Sequence, residues 1–394
     1  MENFIFSIPT TAYFGKGQIK VLGATIKAHG GSKVLLAYGG GSIKTNGIYA
    51  AIIGQLQKAD LPHVELSGIK PNPRVESVEE GIRLYRENKC DFILAVGGGS
   101  ALDASKAIAA GVMYDGPVTD LFVDTSGLSP IAAAAPLATI LTMAGTGSEL
   151  DMGAVITVGE AHKKEVLLHP LVNPKFSILD PEYTFTVPEH HSMAGVADIL
   201  CHLMEQYFTP EVNAKVQDRM NEGVMQAVLE EAPKILANPR DYDARANIMW
   251  ASSMALAGFQ FCLGKPSFPF PLHGIGHELS SRYDMTHGVT LALVTPAWMR
   301  HTMRTAPQYL PLFAQFARNV FGIIEQNTAK AAEAGVRQLE AFYAAIKMPA
   351  NLREAGVKEA DLETIAEKAV ERGNLGILTS IGKAEALQIL RDAF

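Results

Sequence analysis

What this chain has little of narrows its identity first. Its 394 residues include only three cysteines, Cys90, Cys201 and Cys262. An odd number with no CxxC spacing supplies neither a disulfide framework nor a thiolate metal site, and a reducing compartment is expected. Excess positive charge is also missing. With 34 Lys and Arg against 41 Asp and Glu, the formal net charge is -7, which removes the electrostatic ground for a nucleic-acid partner. Long apolar runs are absent too: the longest uncharged one, residues 131–145, is interrupted by Pro136 and too short to span a bilayer. The opening Met1-Glu2-Asn3-Phe4 carries an acid where a secretory signal would carry positive charge. The expectation is a cytoplasmic protein with no membrane partner.

What is present is the composition of a soluble globular protein, 48% hydrophobic and 19% charged. The length exceeds one ordinary core and predicts two domains. In the first half, short apolar runs end in glycine. Val34 to Tyr38 leads into Gly39-Gly40-Gly41-Ser42, and Phe92 to Val96 leads into Gly97-Gly98-Gly99-Ser100. A third run, Ala138 to Thr142, leads into Met143-Ala144-Gly145-Thr146-Gly147-Ser148. Strands of this kind interleaved with helical patterns predict an α/β domain with a buried parallel sheet. From Pro188 onward strand runs disappear, and helical patterns such as Lys215 to Leu236, Asp243 to Ala257 and Thr328 to Ile346 take over. The expected division is therefore 1–188 and 189–394.

Glycines after a strand let backbone N–H groups approach a phosphate, and the following helix adds its positive end. One such loop can be a plain turn, but three after successive strands favour a pyrophosphate ligand. Neither GGGS loop completes GxGxxG, because Lys44 and Leu102 stand where the last glycine belongs. The first loop has no acid to receive a ribose and carries Ser42 and Lys44, both donors suited to a 2′-phosphate. NADP(H) is therefore expected over NAD(H).

In the second half, Asp198 and His202 share one face of a helical segment, Ser192 to Phe208, and His273 and His277 repeat that spacing before His287. Imidazoles with one carboxylate are a common shell for Fe²⁺ or Zn²⁺. Each pair alone is more often a cap or a surface contact. His162, His169, His190, His191 and His301 read as ordinary surface or hydrogen-bonding residues. Phe259, Phe268, Phe270 and Trp298 suit either an apolar pocket or the core.

Taken in order, Gly97 to Ser100 with Leu102-Asp103, Thr142 to Glu149, Asp198-x-x-x-His202, His273-x-x-x-His277, His287 and Asp243-Ala244-Arg245-Ala246-Asn247 resemble the iron-containing (group III) alcohol dehydrogenases. The match runs over nearly the whole chain and is strongest to the branch of butanol dehydrogenases and NADPH-dependent aldehyde reductases. The resemblance implies an α/β plus all-α fold, dehydroquinate synthase-like. An N-terminal dinucleotide-binding domain precedes an all-helical metal-binding and substrate domain, with the active site in the cleft between them, in a homodimer. By the same resemblance the metal ligands are Asp198, His202, His273 and His287, and His277 is a catalytic group near the substrate. Gly39, Gly40 and Ser42 fall at the adenosine ribose. Gly98, Gly99, Ser100 and Asp103 fall at the pyrophosphate and nicotinamide ribose, Thr142, Thr146 and Ser148 at the next wall, and Lys164 at a cofactor contact. Met143 departs from the Thr-Thr-Ala-Gly-Thr of many relatives. The implied reaction is hydride transfer between NAD(P)(H) and a primary alcohol/aldehyde pair such as butanol/butanal, with a divalent metal as Lewis acid. A glycerol dehydrogenase-like polyol oxidoreductase, a dehydroquinate-synthase-like relative, a non-catalytic nucleotide-binding module and a metallohydrolase stand as alternatives.

Overall fold

A computed structural model of the chain describes residues 1–394 apart from 124–126, 160–162, 211 and 267–268. His162 and Phe268 therefore lie outside the described residues. Contacts divide the chain into two units. One comprises Ser7–Val187 with Leu256–Gly258, and the other Met1–Phe6, Pro188–Ala255 and Phe259–Phe394. The first six residues depart from the expected 1–188 grouping for a local reason. Glu2 N donates to Gly264 O at 2.9 Å, and Gln217 Nε2 reaches both Met1 Sδ and Leu263 O.

Among the described residues the α/β unit holds eight strands: β1 (Thr11–Phe14), β2 (Val34–Tyr38), β3 (His63–Leu66), β4 (Phe92–Gly97), β5 (Leu137–Leu141), β6 (Gly153–Val158), β7 (Lys163–Leu168) and β8 (Phe176–Leu179). Six of them form one sheet in the order β1-β8-β5-β4-β2-β3, every neighbouring pair parallel. Helices α1 (Leu22–Ala28), α2 (Ser42–Thr45), α3 (Ile48–Lys58), α4 (Val75–Glu87) and α5 (Gly99–Gly111) supply the crossovers. Because both faces of a parallel sheet are covered, β2, β4 and β5 are buried along their whole lengths, apart from Gly97 at the end of β4. Their apolar runs show no alternation for that reason. Leu36, Ile52, Phe92, Ile140 and Ile178 meet in one core, each contributing about 1.5–3 kcal/mol by burial. Strands β6 and β7 form a separate antiparallel hairpin that the sequence pattern did not disclose.

The regular elements described in the second unit are helices: α6 (Glu189–Tyr207), α7 (Lys215–Ala237), α8 (Tyr242–Leu256), α9 (Pro271–Tyr283), α10 (His287–Thr305), α11 (Leu310–Phe321), α12 (Thr328–Ala345), α13 (Leu362–Ala369) and α14 (Lys383–Asp392). Among the described residues no strand lies beyond β8. Helix α6 is buried from Ser192 to Tyr207, which explains its weak amphipathic pattern. Beside it, Phe208 stacks on Phe313 at 4.5 Å between ring centroids and meets Trp298 edge-on at 5.7 Å. Trp298 is thus an aromatic core residue as well as a wall of a small cavity shared with Phe208, Phe270 and Leu378.

Candidate functional site

Within the helical unit, three helices bring Asp198, His202, His273 and His287 close together. Asp198 and His202 leave the same face of α6, one turn apart. Helix α9 begins at Pro271, whose fixed φ suits a first helical position, and carries His273 and His277. A turn through Asp284, in the left-handed conformation, reverses the chain, so that α10 starts at His287. Close approach of α10 to α6 requires glycine at the next position: a Cβ on Gly288 would lie 1.8 Å from the Ala194 carbonyl oxygen.

Asp198 Oδ1 lies 3.7 Å from His202 Nε2, 3.8 Å from His273 Nε2 and 3.7 Å from His287 Nε2. These separations are too long for hydrogen bonds. Tetrahedral bonds of about 2.1 Å would set ligand atoms about 3.4 Å apart, close to what is observed. Asp198, His273 and His287 present ligand atoms that all lie within 4.8 Å of one another. The deciding atom is His273 Nε2, which is buried and has no hydrogen-bond partner. Left so, it would cost free energy on the order of 1–3 kcal/mol, and a cation at the common centre removes that cost. Burial and the neighbouring His273 and His277 hold the His202 pKa well below its usual value, favouring the neutral imidazole, the form able to ligate a metal. The residues therefore fit a divalent metal.

Glu205 was not anticipated from sequence. It stands seven residues after Asp198 on α6, its side chain has no exposure, and it accepts from His273 Nδ1. Its other oxygen accepts from Leu272 N at 2.6 Å and His273 N at 3.3 Å. Phe270 provides no side-chain cap for α9, so Glu205 satisfies the helix N-terminus while fixing the ring of a ligand. The signal was present as Asp-x-x-x-His-x-x-Glu on one helix face. His277 is adjacent: its ring centroid is 5.7 Å from that of His273 and 5.0 Å from that of His287.

Within the α/β unit, the three loops emerge at the carboxyl ends of β2, β4 and β5, where open parallel sheets bind ligands. The second and third are packed together. A Cβ on Gly99 would lie 2.5 Å from Thr146 Oγ1, one on Gly98 would lie 3.2 Å from Met143, and Thr142 N donates to Gly97 O at 2.9 Å. Met143 thus seats its thioether against Gly98. Ser100 opens the first turn of α5. Ser148 Oγ donates to Asp103 Oδ1 at 2.7 Å and Val155 N to Asp103 Oδ2 at 2.9 Å, so Asp103 ties α5 to the third loop and to the hairpin. Burial pushes its carboxyl up to about 6, despite Lys106 nearby. Lys106 itself is buried on Asp151 at 2.5 Å, an ion pair without a sequence signal. Lys164, on β7, donates to Asn72 Oδ1 at 2.6 Å. Gly39, Gly40 and Ser42 lie on the first loop, whose Gly39 O accepts from Gly68 N at 2.8 Å. Elsewhere, His169 Nδ1 accepts from Leu171 N, and His190 and His191 rest ring against ring.

Comparison with known proteins accounts for both halves of this arrangement. Residues 9–181 match the model of iron-containing alcohol dehydrogenase, and residues 192–394 match the Fe-containing alcohol dehydrogenase family, C-terminal. The chain belongs to the iron-containing alcohol dehydrogenase family. It is 42% identical over 397 residues to NADH-dependent butanol dehydrogenase B of Clostridium acetobutylicum, covering 100% of both chains. It is 36% identical over 383 residues to the NADPH-dependent aldehyde reductase YqhD of Escherichia coli, covering 97% of this chain and 96% of the relative. A crystal structure of NADH-dependent butanol dehydrogenase A from Thermotoga maritima superposes with a TM-score of 0.94 at 34% identity, over 100% of this chain and 99% of that one. As a family member, this alcohol dehydrogenase is a metal- and nicotinamide-dependent oxidoreductase of alcohols and aldehydes.

Proposed function

We propose that this enzyme works mainly as an aldehyde reductase on short primary aldehydes, with the butanal/butanol pair as its reference substrates. The observation that carries the reading is the ring of three imidazole Nε2 atoms around Asp198 Oδ1. Asp198, His202, His273 and His287 hold the ion. An Fe²⁺ or Zn²⁺ bound there supplies a Lewis acid for the substrate oxygen.

Glu205 keeps the His273 ring turned so that Nε2 faces the centre. His277, one helical turn beyond His273, is placed to hand a proton to the product oxygen through a ring nitrogen. The N–H groups opening α5, with Gly98, Gly99, Ser100 and the hydroxyls of Thr142, Thr146 and Ser148, bind the dinucleotide pyrophosphate and the nicotinamide ribose. Asp103 positions that wall, and Lys164 contacts the cofactor beside Asn72. Gly39, Gly40 and Ser42 receive the adenosine ribose. Residues 1–188 then serve the dinucleotide, and 189–394 the metal and substrate.

The buried free thiols of Cys90, Cys201 and Cys262 suit the cytoplasm. Among the described residues no helix is long and apolar enough to cross a membrane. A homodimer would cover the exposed Phe4, Ile5 and Phe6.

The test is elemental analysis of purified protein paired with NADH and NADPH oxidation on butanal, methylglyoxal and lactaldehyde, and the reverse reaction on glycerol. One bound divalent ion with fastest turnover on butanal is expected. Absence of oxidation with every aldehyde in metal-replete protein would sink the reading, and fastest turnover on glycerol would move the enzyme to the polyol dehydrogenases.

A further inference from the structure

Residues 142–152, between β5 and β6, belong to no helix or strand, so their backbone groups need partners from elsewhere. The segment carries Thr142, Thr146 and Ser148, and several of its anchors are side chains. Ser177 Oγ on β8 donates to Glu149 O at 2.7 Å and accepts from Thr139 Oγ1 on β5 at 2.7 Å. Lys106 holds the far end. It lies on α5, about two turns beyond Gly99, and its side chain is fully buried. Its ammonium donates to Asp151 O at 3.0 Å, to Asp151 Oδ1 at 2.5 Å and to Gly153 O at 2.8 Å, which uses all three of its N–H groups. Gly153 N in turn donates to the same carboxylate oxygen at 2.8 Å.

A cation present only to balance Asp151 would be satisfied by the carboxylate. Two of these bonds go instead to backbone carbonyls, so Lys106 fixes the path of the chain as it leaves the third loop and enters β6. Asp103, one turn earlier on α5, fixes Ser148 and Val155 from the same helix. There is no slack at the other end either, because Thr146 packs against Gly99 where α5 begins. One rigid helix therefore carries the N–H groups that open it and the side chains that decide where the facing loop lies.

We propose that Lys106 is a positioning residue for the nicotinamide half of the dinucleotide: by gripping Asp151 and Gly153 it holds the hydroxyls of Thr142, Thr146 and Ser148 where the cofactor needs them. The inference rests on the reading that this loop forms a wall of the nicotinamide-ribose site. Lys106 touches no cofactor atom, since its ammonium is fully engaged by the protein. On the same reading the adenosine ribose sits on the first loop, to which Lys106 makes no bond. The two halves of the cofactor should therefore respond differently to its loss.

Lys106→Met keeps an unbranched apolar stem and removes the ammonium. In the metal-loaded enzyme, NADH should bind at least about tenfold more weakly, read by its fluorescence, while AMP stays within about twofold. Metal content should be unchanged, because Asp198, His202, His273 and His287 all lie in the other unit.

That variant leaves Asp151 buried without its cation, which lowers the melting temperature whatever Lys106 does for the cofactor. Combining Lys106→Met with Asp151→Asn removes both charges and keeps an acceptor for Gly153 N. If stability recovers in this uncharged variant while NADH binding stays about tenfold weak and AMP binding is normal, Lys106 positions the wall. If NADH binding recovers together with stability, Lys106 only balances Asp151 and the proposal is overturned. Equal weakening of NADH and AMP overturns it too, because the damage is then not confined to the third loop. The uncharged variant decides where Lys106→Met alone does not fold.

Thr142→Val with Thr146→Val tests the reading beneath, since valine keeps the shape and lacks the hydroxyl. Weak NADH binding in this pair, with normal NADH binding in the uncharged variant, refutes the role of Lys106 and leaves the loop reading intact. Unchanged NADH binding in the valine pair removes the loop from the cofactor site, and the proposal for Lys106 falls with it.

Discussion

Glu205 accepts a hydrogen bond from His273 Nδ1 and, through its second oxygen, from the backbone N–H groups of Leu272 and His273. One buried carboxylate thereby caps helix α9 and orients the His273 ring carried by the same helix. The same carboxylate thus holds both the start of α9 and the His273 ring.

Glu205→Gln puts an amide donor against donors at one of these contacts. Metal affinity should fall about 10- to 100-fold, read by competition with a chromogenic chelator. Retention of wild-type affinity would show that the His273 ring needs no support from Glu205.

Chelation should lower the melting temperature, with full recovery on adding Fe²⁺ or Zn²⁺. A ligand at about 100 times its Kd contributes about 2.7 kcal/mol by mass action, enough for a shift of a few degrees. Asp198→Ala should lack both the bound ion and the chelator response, and it should be inactive. An Asp198→Ala enzyme that keeps full turnover without metal would end the Lewis-acid reading.

His277→Ala should retain the metal and lose roughly 10² in kcat. Metal content measured on the same preparation is the check, since loss of the ion would place His277 among the ligands.

Gly288→Ala drives a methyl group into the Ala194 carbonyl. The backbone of α6 cannot yield as a flexible side chain would, so destabilisation of about 3 kcal/mol or more is expected in urea melts. Metal content should fall with it, because His287 moves with the start of α10.

Asp103 gives a pH dependence whose sign is opposite to that of a salt-bridged carboxylate. Its pKa is pushed up to about 6 by burial, against about 3.9 in an unfolded chain. Between those values the folded state binds more protons than the unfolded one, so stability falls as pH rises from about 4 to about 6. Partial exposure reduces the effect to about 1–2 kcal/mol. Asp103→Asn should flatten that part of the curve, and equal slopes in the two proteins would place the penalty elsewhere.

Elements with long apolar or strongly periodic stretches were legible in the sequence. Strand β2 and helix α7 fall within a residue of their expected limits, because a buried strand and a six-turn amphipathic helix are both local patterns. The hairpin of β6 and β7 was missed: its burial follows no strict alternation, and Thr157 takes part in a bridge to Arg74 far upstream. Phe270 and Trp298 were ambiguous because an aromatic side chain reads alike in a core and in a pocket wall, and Trp298 proves to be both.

By itself the sequence determined the residue types and local spacings: three glycine loops after apolar runs, Asp198 with His202 one turn apart, His273 with His277 and His287 further along. Spacing within a helix is set by a fixed rise and rotation per residue, so such pairs are readable without a fold. Only the tertiary structure decided that three helices place His202, His273 and His287 around a single oxygen of Asp198. It alone brought Glu205 onto His273, and Glu65 from a neighbouring strand onto Lys44. Those contacts join residues far apart in the chain. Their distances follow from how helices pack and strands pair, and a linear pattern carries no record of either.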